Sequence, residues 1–357
     1  MQYTNIYSST LKWYDKHKRD LPWRRSTNIY RVWLSEVMLQ QTQVKTVIPY
    51  YINWLKNFKS VEDVAYADID VLLKVWEGLG YYSRCRNFHQ ACKIVVEKYG
   101  GKIPRTYGEF ITLPGVGSYI ASAVLSIACN TKLPAIDVNL KRVYARMLGL
   151  KNDTKRNSMR IHQYGFNLVQ GARPGDFNQA VMDIGSQICH PSRPLCNVCP
   201  NKTYCKAYAS KKPYLYALKK KDKKTKTKKM IAALITIGGK CIIEKRDNAG
   251  LLGGLWEFPT IETSATVPEH INTLFQNRFS KQITLIEKMG SVKHSYSHFK
   301  VDVDFYLFSG SQKLKSDKSF KWINIEEFDS YAFSKVNHKL KSIINDCLLY
   351  TSPSPRD

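Results

Sequence analysis

Through the first two hundred residues, apolar side chains recur with the period of an α-helix. Val32-Trp33 followed by Val37-Met38, and Ile120 followed by Val124-Leu125, keep that period. Glycine and proline punctuate the helices at Leu21-Pro22, Gly78 and Gly80, Gly100-Gly101, Leu113-Pro114-Gly115 and Arg173-Pro174-Gly175. Strand signals are scarce there. After Met230 the pattern changes. Ile231–Ile237, a Gly238-Gly239 turn and Cys241–Ile243 predict a β-hairpin, and Val301–Phe305 alternates with period two. The pattern therefore predicts a helical region over 1–210 and an α+β domain over 230–346. The lysine-rich stretch 211–229 between them repels itself and reads as an extended linker, or as a direct contact for phosphates. There is no internal repeat.

The composition adds a partner to this outline. At 357 residues the chain has room for two or three domains, and with 43% hydrophobic residues disorder along most of its length is excluded. The longest apolar stretch, near Ala123–Cys129, has the length of a buried helix and falls short of the roughly 18 residues that span a bilayer. The first residues lack a basic start followed by an apolar core. Both features point away from a secreted or membrane protein and towards a cytoplasmic one, associated with the nucleoid if the source is bacterial. The formal net charge is +26, which points to a polyanion: nucleic acid or an acidic membrane surface. A merely soluble basic surface is the plainer alternative. Ten lysines and one aspartate fall in 211–229, so most of the excess lies elsewhere. Residues 347–357 resemble the translation of a sequencing-adapter transposon end fused to a truncated gene, or else a Pro/Ser-rich tail, and are left out of the fold.

Four of the nine cysteines crowd into Cys189, Cys196, Cys199 and Cys205, spaced C-x6-C-x2-C-x5-C. Four thiolates this close can surround one soft metal centre. Zinc sites usually use two short-spaced pairs far apart, and only one such pair is present. A cubane cluster offers four iron corners to a single compact loop. Four unrelated free cysteines is the remaining alternative. A loop of this spacing after a helical domain resembles the [4Fe–4S] loop of the endonuclease III/MutY superfamily of DNA glycosylases, over about residues 10–205. The resemblance implies an all-α helix-hairpin-helix glycosylase with an iron–sulfur loop at 189–205, followed by an α+β Nudix-like domain.

The other motifs take their meaning beside that loop. In Leu113-Pro114-Gly115-Val116-Gly117, Gly115 and Gly117 let the backbone turn sharply and present N–H groups to an anion such as phosphate. Alone this is an ordinary helix–helix turn; here it resembles the family's hairpin, at about 108–125, which holds backbone and not sequence. Glu36 has Val32, Trp33, Leu39 and Gln40 as helical neighbours, among which a carboxylate is partly desolvated, with a raised pKa that suits an acid; on local grounds an exposed Glu on a helix edge is the alternative. Ser35-Glu36-Val37-Met38-Leu39-Gln40-Gln41-Thr42 resembles the MutY-type motif, in which this Glu protonates adenine N7 and then handles the water. Asp137, between an apolar run and a helix, is on local grounds an N-cap. The resemblance implies that it stabilises the oxocarbenium ion at C1′ and that Asn139 orients it; Val138 stands where the family usually has Gly. Tyr119 falls where endonuclease III-like lyases carry the Schiff-base Lys, which implies base removal without strand cleavage; a packing role is the alternative.

The family's base-flipping chemistry leaves a gap in the duplex to be filled. Gln41 and Tyr81 match its wedge residues, and Arg24 and Asp183 match its adenine-pocket positions or else form a surface salt bridge. In the second domain, Gly253-Gly254-Leu255-Trp256-Glu257-Phe258-Pro259 resembles the opening of a Nudix fold, but 260–290 lacks the acidic helix of a working hydrolase, so no pyrophosphatase chemistry is expected. His294-Ser295-Tyr296-Ser297-His298 resembles the H-x-F-S-H loop that recognises 8-oxoguanine, with Ser297 bonding the altered edge, Tyr296 wedging and His298 donating; metal binding by its two histidines is the alternative. The implied activity is hydrolysis of the N-glycosidic bond of adenine opposite 8-oxoguanine or G in double-stranded DNA, by a monomer. A related glycosylase acting on another mismatch and a silent DNA-binding homologue stay open as alternatives.

Overall fold

The computed structural model describes residues 2–216, 226–250, 252–279, 281–296, 299–311 and 319–351, with side chains up to residue 346. The chain divides into two compact units, Met1–Tyr66 with Asn87–Asp222, and Ala67–Arg86 with Lys223–Asp357. The helices begin α1 (Gln2–His17), α2 (Ile29–Leu39), α3 (Val44–Asn57), α4 (Val61–Tyr66), α5 (Ile69–Val75) and α6 (Ser83–Tyr99). They continue with α7 (Tyr107–Phe110), α8 (Ser118–Cys129), α9 (Val138–Leu148), α10 (Lys155–Leu168), α11 (Pro174–Gln187) and α12 (Lys206–Ala209). After them come strands β1 (Lys226–Ile237), β2 (Lys240–Lys245), β3 (Trp256–Glu257) and β4 (Thr260–Glu262), helix α13 (Pro268–Arg278), strands β5 (Ile283–Ser295), β6 (Phe299–Gly310) and β7 (Phe320–Ile323), and helix α14 (Lys335–Thr351).

The first unit is helical because its central helices are apolar almost all round. In α2, begun by the Asn28 side chain accepting from Arg31 N at 3.1 Å, Val32 through Met38 are all buried. The helix packs on α8, where Ile120 through Ser126 are all buried. Trp33 meets Phe88 and Phe110 edge-on, with ring centroids 4.8 and 5.2 Å away. Burying each of those phenylalanines is worth roughly 1.5–3 kcal/mol. A second core joins α1, α9, α10 and α11 around Leu140, Tyr144, Phe177 and Ile184.

In the second unit the sheet runs β3-β2-β1-β6-β5, with β4 paired to β1 and β7 to β2. The expected hairpin is present, with Thr236 opposite Cys241. β1 is parallel to β6, from Lys226 opposite Phe299 to Thr236 opposite Ser309. Alternation puts Ile231, Ala233 and Ile235 in one core with Ile271 and Phe275 of α13. Ala232 and Leu234 join Val336 and Leu340 of α14 on the other face.

Three boundaries differ from those the sequence suggests. Lys226–Lys229, expected in the linker, lie in β1: their backbone pairs with Phe299–Asp302 while their side chains stay exposed. Residues 217–225 of that stretch are outside the described residues. The backbone of α14 continues through Thr351, into the segment set aside as a tail. Ala67–Arg86 groups with the sheet unit, to which its side chains are tied. Asp70 pairs with Lys245 at 2.6 Å, and Arg86 Nη2 donates to Asn248 O at 2.9 Å. No helix among the described residues is long and apolar enough to cross a membrane.

Candidate active site

Glu36 comes to the site on α2, within the buried run that makes the helix a core element. It is 4% exposed. Tyr119, in the first turn of α8, donates its hydroxyl to Glu36 Oε2 at 2.7 Å. Burial pushes the Glu36 carboxyl up to about 7; the nearby charge of Asp137 raises it further, while the Tyr119 bond and Arg24 oppose the rise. Burial also lifts the Tyr119 hydroxyl well above its ordinary value. Glu36 can thus hold a proton near neutral pH.

Asp137 is the N-cap of α9. Its Oδ1 accepts from Leu140 N at 2.6 Å, the capping bond, and its Oδ2 accepts from Asn139 Nδ2 at 2.9 Å. Burial raises its pKa, and these donors counter the rise by favouring the ionised form. Asn139 Oδ1 in turn accepts from Arg142 Nη2 at 3.0 Å, and Arg142 Nε donates to Cys189 O at 2.8 Å. A chain of hydrogen bonds thus runs from the second carboxylate into the cysteine loop.

A cavity of about 60 Å³ opens beside Glu36, lined by Tyr119, Arg19, Arg24, Trp23, Gln179 and others. Asp183 is not a lining residue. It is fully buried, accepting from Arg24 Nη1 at 2.7 Å, Arg24 Nη2 at 3.0 Å and Arg19 Nε at 2.8 Å. The Arg24–Asp183 pair is therefore a buried clamp and not a surface salt bridge. The buried Arg24 Nε has no hydrogen-bond partner among the described residues.

The hairpin turns at Gly115, where φ is +76° and Val116 N bonds Leu113 O at 3.0 Å. Gly117 is the N-cap of α8 with open space around it, so the first N–H groups of the helix face outward. The four loop cysteines are free thiols, half-buried. Cys189, Cys199 and Cys205 pack against the α9–α11 core. Burial pushes the Cys199 thiol up to about 12, with further contributions from the other three sulfurs, so the four lie within electrostatic reach of one another. The fully buried Arg146 donates to Cys189 Sγ at 3.1 Å. No three His, Cys, Asp or Glu side chains among the described residues converge as ligands of a single ion.

Residues 34–166 match the HhH-GPD superfamily of base excision DNA repair proteins, and residues 230–342 match the NUDIX domain. An adenine DNA glycosylase of Mus musculus is 33% identical, covering 96% of this chain and 78% of that protein. One from Buchnera aphidicola is 36% identical, covering 82% of this chain and 83% of that protein. A solved thermostable thymine-DNA glycosylase shares the fold over 58% of this chain and 97% of its own, at 27% identity and a TM-score of 0.55.

The chain belongs to the adenine DNA glycosylase family. It is a base excision repair glycosylase with a helix-hairpin-helix unit and a Nudix-like unit.

The remaining expected residues fall in different surroundings. Gln41, just past α2, is exposed with φ +56°, and Tyr81, in the second unit, has φ +49°. Left-handed backbone costs such residues on the order of 1–3 kcal/mol, a strain typical of functional loops. Tyr296 was expected to wedge between bases. Its ring packs against the sheet core while remaining only partly buried, 4.6 Å from His294 and 5.1 Å from Phe299. Ser297 and His298 lie outside the described residues. Arg19, Gln179 and Arg142 escaped the sequence reading, although Arg19 stands just before Asp20-Leu21-Pro22-Trp23 and Gln179 beside Asn178 on the motif that carries Asp183.

Proposed function

We propose that this glycosylase removes adenine opposite 8-oxoguanine or G, hydrolysing the N-glycosidic bond without cutting the strand. The observation that carries the reading is the buried Glu36 carboxyl bonded to Tyr119, with its pKa raised to about 7 beside a second, donor-held carboxylate. Glu36 gives its proton to N7 of the everted adenine, and the bond from C1′ to N9 breaks with its electrons passing to the base. Asp137, whose carboxylate accepts from Leu140 N and Asn139, faces the positive charge that develops at C1′. Glu36, now deprotonated, takes a proton from the water that adds to C1′. Tyr119 has no amine to capture the sugar, so the backbone is left intact. Arg24 supplies a donor toward the base, oriented by its clamp on Asp183.

Cys189, Cys196, Cys199 and Cys205 would hold a [4Fe–4S] cluster, with Arg146, which donates to Cys189 Sγ, compensating the thiolate charge; bound, the cluster would tie the loop together. Ser297 and His298 are the residues that read 8-oxoguanine. The test is a cleavage assay on duplexes pairing A with 8-oxoguanine, A with G and T with G, each with and without alkali. Strand breaks only after alkali, on the first two duplexes, are expected; breaks without alkali, or on T:G alone, overturn the reading.

A further inference from the structure

Within the second unit, one carboxylate ties the end of α5 to the segment that leads into α14 and to α14 itself. Glu77 Oε1 accepts from Phe333 N at 2.7 Å and from His338 Nε2 at 2.8 Å, and Glu77 Oε2 accepts from Lys74 Nζ at 2.6 Å. Lys74 Nζ also donates to Tyr331 O at 3.0 Å. The next residue along from Phe333 is Ser334, buried and hydrogen-bonded to the Tyr296 side chain. Consecutive residues before α14 therefore hold Glu77 on one side and the Tyr296 hairpin on the other.

Glu77 also begins the loop that presents Tyr81. Gly78 N donates to the Tyr82 hydroxyl at 3.0 Å, and Gly80 O accepts from Trp76 Nε1 at 3.1 Å and Arg84 Nη2 at 3.0 Å. The Arg84 guanidinium lies 5.3 Å from the Tyr81 ring and 5.5 Å from the Trp76 ring. With Tyr81 at φ +49°, these contacts hold in a strained shape the loop that follows directly on Glu77 in sequence.

We propose that Glu77 is a positioning residue that couples the Tyr81 loop to the hairpin carrying Tyr296, so that Tyr81 enters the duplex in step with reading of the base opposite the adenine. The coupling rests on the proposed reading of 8-oxoguanine by that hairpin. A carboxylate with three donors suits the role, since breaking one bond strains the other two.

The test uses the full chain and duplexes carrying 2-aminopurine beside the mispair, whose fluorescence rises on unstacking. At saturating protein, Glu77→Ala is expected to cut that rise severalfold. Glu77→Gln, whose amide oxygen still accepts from Phe333 N, keeps most of it. In a Tyr81→Leu background, Glu77→Ala should change nothing further. Glu77→Ala should also lower the ratio of adenine excision opposite 8-oxoguanine to that opposite G by severalfold. An unchanged rise, additive losses in the double variant, or equal loss on both duplexes overturns the proposal. A wild type that excises equally on both duplexes overturns instead the reading on which it rests. If Glu77→Ala does not fold, His338→Ala removes one donor alone and must shift the fluorescence the same way.

Discussion

At Glu36, burial and hydrogen bonding pull in opposite directions, and burial wins. The group must be protonated to act as an acid, so kcat should fall as pH rises through about 7. The Tyr119 bond favours the ionised form, so its loss lets the pKa climb further. Tyr119→Phe should therefore move the alkaline limb of a single-turnover pH profile to higher pH; an unmoved limb would show that the 2.7 Å bond does not bear on the acid. The acid was legible from the resemblance of Ser35–Thr42 to a known motif; spacing alone allowed an exposed Glu on a helix edge, and it is the packing of α2 on α8 that buries it. Arg19, Gln179 and Arg142 were not. Each is a single polar residue whose partner lies more than forty residues away or across a cavity, and no periodicity announces such a meeting.

The elements carry the site by their ends. α9 starts at Asp137, so the carboxylate proposed to face C1′ also caps the helix. α8 starts at the hairpin that bears Gly115 and Gly117. A Cβ on Gly115 would lie 2.9 Å from Asn87 Cβ, with φ at +76°, whereas one on Gly117 meets nothing within 4 Å. Gly115→Ala should thus cost about 1–3 kcal/mol in denaturant melts. Gly117→Ala should leave stability near wild type. Equal losses would mean that strain at the turn is not what sets the difference. Hairpin and strands in the second unit were legible from two-residue alternation, but the start of β1 was not. Its lysines pair through the backbone with β6, and charge patterning sees only side chains.

On the scale of the whole molecule, the net charge of +26 prepares a surface for phosphates. Each neutralised phosphate releases counterions, so log affinity for duplex DNA should fall steeply and linearly with log salt, by roughly 0.9 per phosphate contacted. A flat response in fluorescence anisotropy would detach the charge from DNA binding. Base removal, as proposed, depends on one proton, the one held by Glu36. Adenine release from a duplex with A opposite 8-oxoguanine, measured for wild type and Glu36→Gln beside binding to the same duplex, tests that dependence most directly. Release by wild type alone, with both proteins binding, is the predicted result; release by Glu36→Gln at the wild-type rate would contradict it.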